Sequence, residues 1–167
     1  MNLYIFRHGQ TYFSKNNILY GNKIETAEIL AEGIPIVKKL AEYLKGIKTD
    51  ANFTSPYKRC VQTSGLVLEI TGKKFTVDEN LRDWDPGKET VEDMIKRIKV
   101  FSKKLDASRY SSVSICTHGF PINAIIAYFT KGKIERADLE NYPNPGVLVT
   151  IENGKVSYKD FNLNASD

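Results

Sequence analysis

Short apolar runs alternate with stretches of helical period along most of the chain. Leu3-Tyr4-Ile5-Phe6 is a β-favouring run that stops at Arg7-His8-Gly9, the pattern of a buried strand entering a turn. From Gln10 to about Glu28 the sequence is polar with no clear period. Ile36, Val37, Leu40, Leu44 and Ile47 then recur at helical spacing and predict a first helix over roughly 30–45, with Pro35 in its first turn. Ala51 to Thr54 reads as a second strand, and Ser55-Pro56 places an N-cap before a proline, so a second helix is predicted to begin there. It carries Val61, Leu66, Val67, Leu68 and Ile70 and stops at Thr71-Gly72. A third strand, Phe75 to Val77, precedes an acidic loop from Asp78 to Glu89. Thr90-Val91-Glu92-Asp93 has the capping-box form that opens a helix, whose stripe is Val91, Met94, Ile95, Ile98, Phe101 and Leu105. Val113 to Cys116 repeats the first pattern, ending at Thr117-His118-Gly119 before a helix over Pro121 to Phe129. Val147 to Ile151 and Val156 to Tyr158 flank Asn153-Gly154, a strong signal for a two-residue hairpin. The order predicts an α/β protein: a three-layer α/β/α sandwich on a mostly parallel sheet with an antiparallel edge. With no linker or repeat in evidence, residues 1–167 are expected to form one domain.

Composition narrows the classes. Hydrophobic residues make up 41% of the 167 and charged residues 26%, which excludes a disordered or fibrous chain. The longest apolar runs, such as Ala124 to Phe129, are far short of the roughly 20 residues of a membrane span. The first residues lack the basic and apolar regions of a signal peptide, so a cytoplasmic protein is expected. Cys60 and Cys116 have neither the number nor the spacing of a disulfide framework or zinc knuckle and are expected to be reduced, buried small hydrophobes. The net charge of +4 arises from 24 basic and 20 acidic residues spread along the chain. Neither nucleic acid nor a membrane surface is called for as a partner, and a small anionic substrate fits the excess equally well.

The chain has only two histidines, and both follow an apolar strand and precede a glycine. In an open α/β sheet, ligands bind beyond the carboxyl ends of the strands, where both imidazoles are placed. Either histidine alone would read as an ordinary polar residue; the shared frame is what points to a site. Gly9 and Gly119 allow close backbone approach, with amide hydrogens offered to an anion. Arg7 adjoins His8, and Arg59 lies early in the second helix. Guanidinium groups match phosphate oxygens in pairs.

Arg7-His8-Gly9-Gln10-Thr11 resembles the R-H-G-E/Q-T signature of the histidine phosphatase superfamily, in its phosphoglycerate mutase-like branch. Ser55-Pro56-Tyr57-Lys58-Arg59-Cys60-Val61-Gln62-Thr63 resembles that family's S-P-x-x-R-A/C-x-Q-T block, and Thr117-His118-Gly119 its distal His-Gly. The resemblance implies a phosphoglycerate mutase-like fold and a histidine acid phosphatase-type phosphoric monoester hydrolase. By the same resemblance His8 attacks phosphorus through Nε2 and is transiently phosphorylated, Gly9 offers a carbonyl to the other ring nitrogen, and Arg7, Arg59 and His118 hold the equatorial oxygens. No metal or other cofactor is implied. The substrate would be a small phosphorylated metabolite or a phosphoprotein, and a homodimer through an exposed edge stays open.

The family takes its leaving-group proton from a Glu in an L-x-E segment, and here Leu81-Arg82-Asp83 stands in that place. Asp83 is the first candidate and Asp85 the second, with Glu25 or no dedicated acid behind them. Thr11, Ser14, Gly21 and Gly119 are the expected substrate contacts; Ser14 replaces an Asn of the family, and Asn123 stands where a basic residue is frequent. No long insertion between Asp78 and Val113 provides a cap, which favours a compact phosphatase over a mutase. Two further readings are a non-catalytic phosphoryl-binding module, since the usual Glu is missing, and a metal site made of both histidines and an aspartate. Phosphate-directed arginines speak against the metal site.

Overall fold

The computed structural model describes residues 1–163. Strands β1 (Asn2–Arg7), β2 (Ala51–Thr54), β3 (Thr76–Val77), β4 (Ser112–Thr117), β5 (Val147–Glu152) and β6 (Lys155–Asp160) form one sheet in the order β3-β2-β4-β1-β5-β6. The first four in that order run parallel, and β5 and β6 add the antiparallel edge. Helices α1 (Tyr12–Asn16), α2 (Ile34–Lys45), α3 (Lys58–Thr71), α4 (Val91–Asp106) and α5 (Gly119–Lys131) accompany the sheet, with short 3-10 turns between elements.

Alternation along the strands divides the core into two layers. Leu3, Ile5, Val113 and Ile115 pack with Met94, Ile98 and Phe101 of α4 and Ile122 and Ile125 of α5. Phe6 and Cys116 face the other way, onto Val37, Leu40 and Leu44 of α2 and Cys60 and Val67 of α3. Each fully buried aliphatic or aromatic side chain contributes about 1.5–3 kcal/mol relative to exposure, so the two stripes hold the helices to opposite faces. The predicted three-layer sandwich is thus the observed one. No helix among the described residues is long and apolar enough to cross a membrane.

Local chemistry explains most element ends. Thr90 and Asp93 form the predicted capping box of α4. Asn153 and Gly154 both adopt positive φ, 51° and 73°, as a tight turn matched to strand twist requires. Pro35 lies in the first turn of α2, behind a 3-10 turn at Ala31–Gly33. Two expectations are corrected. Helix α3 begins at Lys58 with Tyr57 as its N-cap, because the Ser55 hydroxyl lies 2.7 Å from His118 Nε2 and serves that ring instead of the helix. The segment without period contains α1, too short to show a period, opened by a capping box between Thr11 and Ser14.

Candidate active site

Strands β1 and β4 stay in register to their ends, with Arg7 opposite Thr117. The chain therefore leaves both strands at one edge, and the His8 amide donates to the Thr117 carbonyl at 3.1 Å. This sets the His8 and His118 rings side by side, 5.3 Å between centroids. Both are fully buried.

His8 Nδ1 is 2.8 Å from the Gly9 carbonyl oxygen. A carbonyl only accepts, so the hydrogen sits on Nδ1 and the lone pair on Nε2, which has no hydrogen-bond partner. Burial, then the charges of Arg7 and Arg59, push this imidazole well below the ordinary histidine pKa, against the pull of the Gly9 carbonyl. The ring is held neutral. His118 is pushed down likewise, by burial first and then by Arg59. The Ser55 hydroxyl accepts the Tyr57 amide at 3.3 Å and pairs with His118 Nε2 at 2.7 Å. His118 Nδ1 faces Asp83 Oδ2 at 3.6 Å, and an acceptor on that side favours the tautomer with its hydrogen on Nδ1, the Ser55 hydrogen then going to Nε2.

Arg59 has no exposed surface. Its Nη1 donates to the Ile24 carbonyl and its Nη2 to Asp83 Oδ2 at 2.9 Å, while the Tyr20 ring lies 4.0 Å from Cζ. Arg7 Cζ is similarly 4.9 Å from the Tyr142 ring centroid. Among the described residues five buried side-chain polar atoms lack partners, and three of them are Arg7 Nε, His8 Nε2 and Arg59 Nε. Each such group costs about 1–3 kcal/mol, so their gathering at one place marks a site built for an oxyanion instead of for stability.

Gly9 works differently from the expectation. The Gly9 amide donates inward to Thr63 Oγ1 at 2.8 Å, and that hydroxyl donates to the Arg59 carbonyl at 2.7 Å. A Cβ on Gly9 would stand 3.0 Å from Val37, so the glycine is there to let α2 approach. A Cβ on Gly119 would come within 2.3 Å of the Tyr142 ring, which is how Tyr142 reaches Arg7. Gln62, also in the second motif, accepts the Ile29 amide at 3.0 Å.

Asp83 lies in the site, and burial raises its pKa above the ordinary value despite the opposing charges of Arg59 and Arg7. Asp85 builds its own loop: Oδ1 accepts the Gly87 amide at 3.0 Å, and Oδ2 is 3.9 Å from Lys88. Glu25 pairs with Lys88 at the rim. The Thr11 and Ser14 hydroxyls cap α1, and Thr11 Oγ1 also holds the Tyr20 phenol at 2.8 Å. Thr11 is buried, so it reaches the site through Tyr20; Ser14 and Gly21 are on the cavity wall. Asn123 ties α5 to the Glu140 carbonyl at 2.6 Å.

Tyr20, Tyr142 and Arg97 went unread in the sequence. Arg97, buried on α4, donates through Nη1 to the carbonyls of Asn80 (2.7 Å) and Arg82 (2.6 Å). Its Nη2 reaches the Asp83 carbonyl at 2.9 Å, and Nε and Nη2 together grip the Glu89 carboxylate at 3.0 and 2.5 Å. A charged side chain three residues after Met94 and four before Phe101, on a buried stripe, was the available signal.

A cavity of about 790 Å³ opens above this floor, walled by Arg7, Asp83, Gly119 and several aromatic rings. Among the described residues no three His, Cys, Asp or Glu side chains are grouped as the ligands of a metal ion would be. A buried neutral imidazole with a free lone pair, flanked by two guanidinium groups and a carboxyl of raised pKa, is equipped for nucleophilic attack on an anionic centre.

The profile of the histidine phosphatase superfamily (branch 1) matches residues 3–88 and 83–164. A Hydrogenobacter thermophilus protein provisionally named phosphoserine phosphatase 2 is 24% identical over 188 aligned positions, covering 93% of this chain and 91% of the relative. The crystal structure of the alpha-ribazole phosphatase from Shigella flexneri superposes with a TM-score of 0.77 at 18% identity, covering 98% of this chain and 96% of that one. Phosphoglycerate mutase from Bacillus anthracis superposes at 0.70 with 19% identity, covering 97% and 94%. At such identities the two structures speak for the fold alone.

Proposed function

Because the chain belongs to the histidine phosphatase superfamily (branch 1), we propose that it is a metal-independent phosphatase, a histidine acid phosphatase-type hydrolase that cleaves a phosphomonoester through a phosphohistidine on His8. The carrying observation is His8 Nε2, a neutral nitrogen with its lone pair uncommitted, beside the uncommitted Nε atoms of Arg7 and Arg59.

In the first step Nε2 attacks phosphorus in line, the N–P bond forms and the ester P–O bond breaks. Arg7, Arg59 and the His118 Nδ1–H balance the charge on the equatorial oxygens. Asp83, whose raised pKa favours the acid form, gives its proton to the leaving oxygen. It is a methylene shorter than the family's Glu, and the loop compensates by bringing Oδ2 to within 2.9 Å of Arg59. In the second step water attacks phosphorus, ionised Asp83 takes its proton and the N–P bond breaks, releasing phosphate. Entry of the phosphoryl group requires the Tyr20 ring to lift from Arg59. Hydrolysis is favoured over mutase chemistry because the segment from Asp78 to Val113 carries no long insertion to cap the cavity, so water reaches the phosphoenzyme before a product can turn and be rephosphorylated. The substrate is a small phosphorylated metabolite.

The test is incubation with a phosphorus-labelled ester in excess chelator followed by rapid quench. An acid-labile, alkali-stable protein adduct is expected, with phosphate release, both lost in His8→Ala. No adduct and no release across a broad ester panel would leave a phosphoryl-binding module.

A further inference from the structure

We propose that the substrate's leaving group is an uncharged, aromatic or bulky apolar alcohol of small-molecule size; this rests on the phosphatase reading of the same site. The walls above the arginines are aromatic. Phe13 and Tyr20 stack on one side at 4.8 Å between centroids, while Phe120 contacts both Trp84 (5.7 Å) and Tyr142 (5.3 Å) on the other. The two groups stand on either side of the phosphoryl floor, because Tyr20 lies over Arg59 and Tyr142 over Arg7. Ile18 and Leu19 extend the apolar surface to the rim, with Leu19 89% exposed. A row of exposed apolar side chains leading from a phosphoryl site is costly in water unless a ligand covers it.

Charge points the same way. Beyond Arg7, the one cation on the wall among the described residues is Lys88, and its ammonium is shared by the Glu25 carboxylate at 2.5 Å and Asp85 at 3.9 Å. An ester bearing a carboxylate or second phosphate would meet two anions and no free cation beyond the phosphoryl floor. A neutral ring instead finds faces to stack on. At about 790 Å³ the cavity is within the range of small-molecule sites and exceeds what a phosphoryl group alone would fill.

The experiment compares 1-naphthyl phosphate with 4-carboxyphenyl phosphate, whose leaving groups are of similar acidity but differ in charge and apolar area. The expected result is a kcat/KM at least about tenfold higher for the naphthyl ester. Leu19→Lys should narrow that gap by about fivefold, at a position too exposed to disturb folding. In parallel, calorimetry with 1-naphthylmethylphosphonate and its carboxyphenyl counterpart reads the same preference without turnover. Equal or better handling of the carboxylate compounds in both assays overturns the inference and leaves the phosphatase reading standing. Preferred binding of the naphthyl phosphonate with no turnover of any ester supports the ligand class and sinks the catalytic reading. A phosphotyrosine peptide that outcompetes 1-naphthyl phosphate would transfer the site to phosphoproteins and overturn the small-molecule assignment.

Discussion

Asp83 Oδ2 accepts a hydrogen bond from Arg59 Nη2 at 2.9 Å, and its carboxyl nevertheless titrates above the ordinary aspartate range because burial outweighs the neighbouring guanidinium. On the proposed mechanism the same residue is both tied to the oxyanion floor and the proton source, and the difficulty of the leaving group should reveal it. Asp83→Asn is expected to lower kcat/KM, which reads formation of the phosphoenzyme, by about 10²–10⁴-fold on alkyl phosphates and far less on p-nitrophenyl phosphate, whose leaving group needs no proton in that step. The acid must be protonated to act, so wild-type turnover of alkyl esters falls as pH rises through the raised Asp83 pKa. That alkaline limb should vanish in the variant; equal losses on both esters would remove Asp83 from the acid role.

Arg97 holds three carbonyls of the 80–83 segment and the Glu89 carboxylate, so on the proposed mechanism it positions the acid. Arg97→Lys cannot reproduce the planar fork, and a small shift of Asp83 follows. The expected outcome is a loss of about 10–100-fold in kcat/KM on alkyl phosphates with the p-nitrophenyl ester largely spared. A purely structural role would depress every substrate alike.

Tyr20 is tethered over Arg59 by its phenol, 2.8 Å from Thr11 Oγ1. Tyr20→Phe keeps the ring and removes the tether, worth about 0.5–1.5 kcal/mol. If the ring must lift for the anion to enter, phosphate should inhibit the variant at about 2–10-fold lower concentration. An unchanged inhibition constant would show that entry does not depend on the tether.

The two histidines make the fold acid-sensitive. Both have pKa values pushed well below the ordinary one, so below about pH 6.5 the unfolded chain takes up protons that the folded chain refuses. Stability is therefore complete above the unfolded histidine pKa and falls as pH drops toward the folded values. Asp83 acts in the opposite sense, its contribution being full below the unfolded aspartate pKa and lost as pH rises through its raised value, but it is one group against two. The melting temperature should fall between about pH 7.5 and about pH 5.5, and fall less in His118→Gln.

The strand ends were legible because they are local events: an apolar run, a histidine and a glycine in sequence place His8 and His118 at the carboxyl edge of the sheet without knowledge of distant contacts. Arg59 was legible through its motif. The layers followed from alternation, as Phe6 and Cys116 turn away from Ile5 and Ile115. What escaped depends on segments far apart meeting. Tyr142 over Arg7, Tyr20 over Arg59 and Arg97 behind Asp83 have no period or motif of their own. Ser55 shows how a local rule loses: its hydroxyl suits a helix cap, and a residue 63 positions later takes it.

The position of β1 in the sheet governs when the site can come into being during synthesis. Its two neighbours, β4 and β5, begin at Ser112 and Val147. A nascent chain that has delivered His8, Arg59 and Asp83 to the exit of the ribosome still has no partner for the strand that carries His8. Assembly must wait until the residues from Ser112 onward have emerged, and until then the Leu3-Tyr4-Ile5-Phe6 edge is a place where chaperones would be expected to bind.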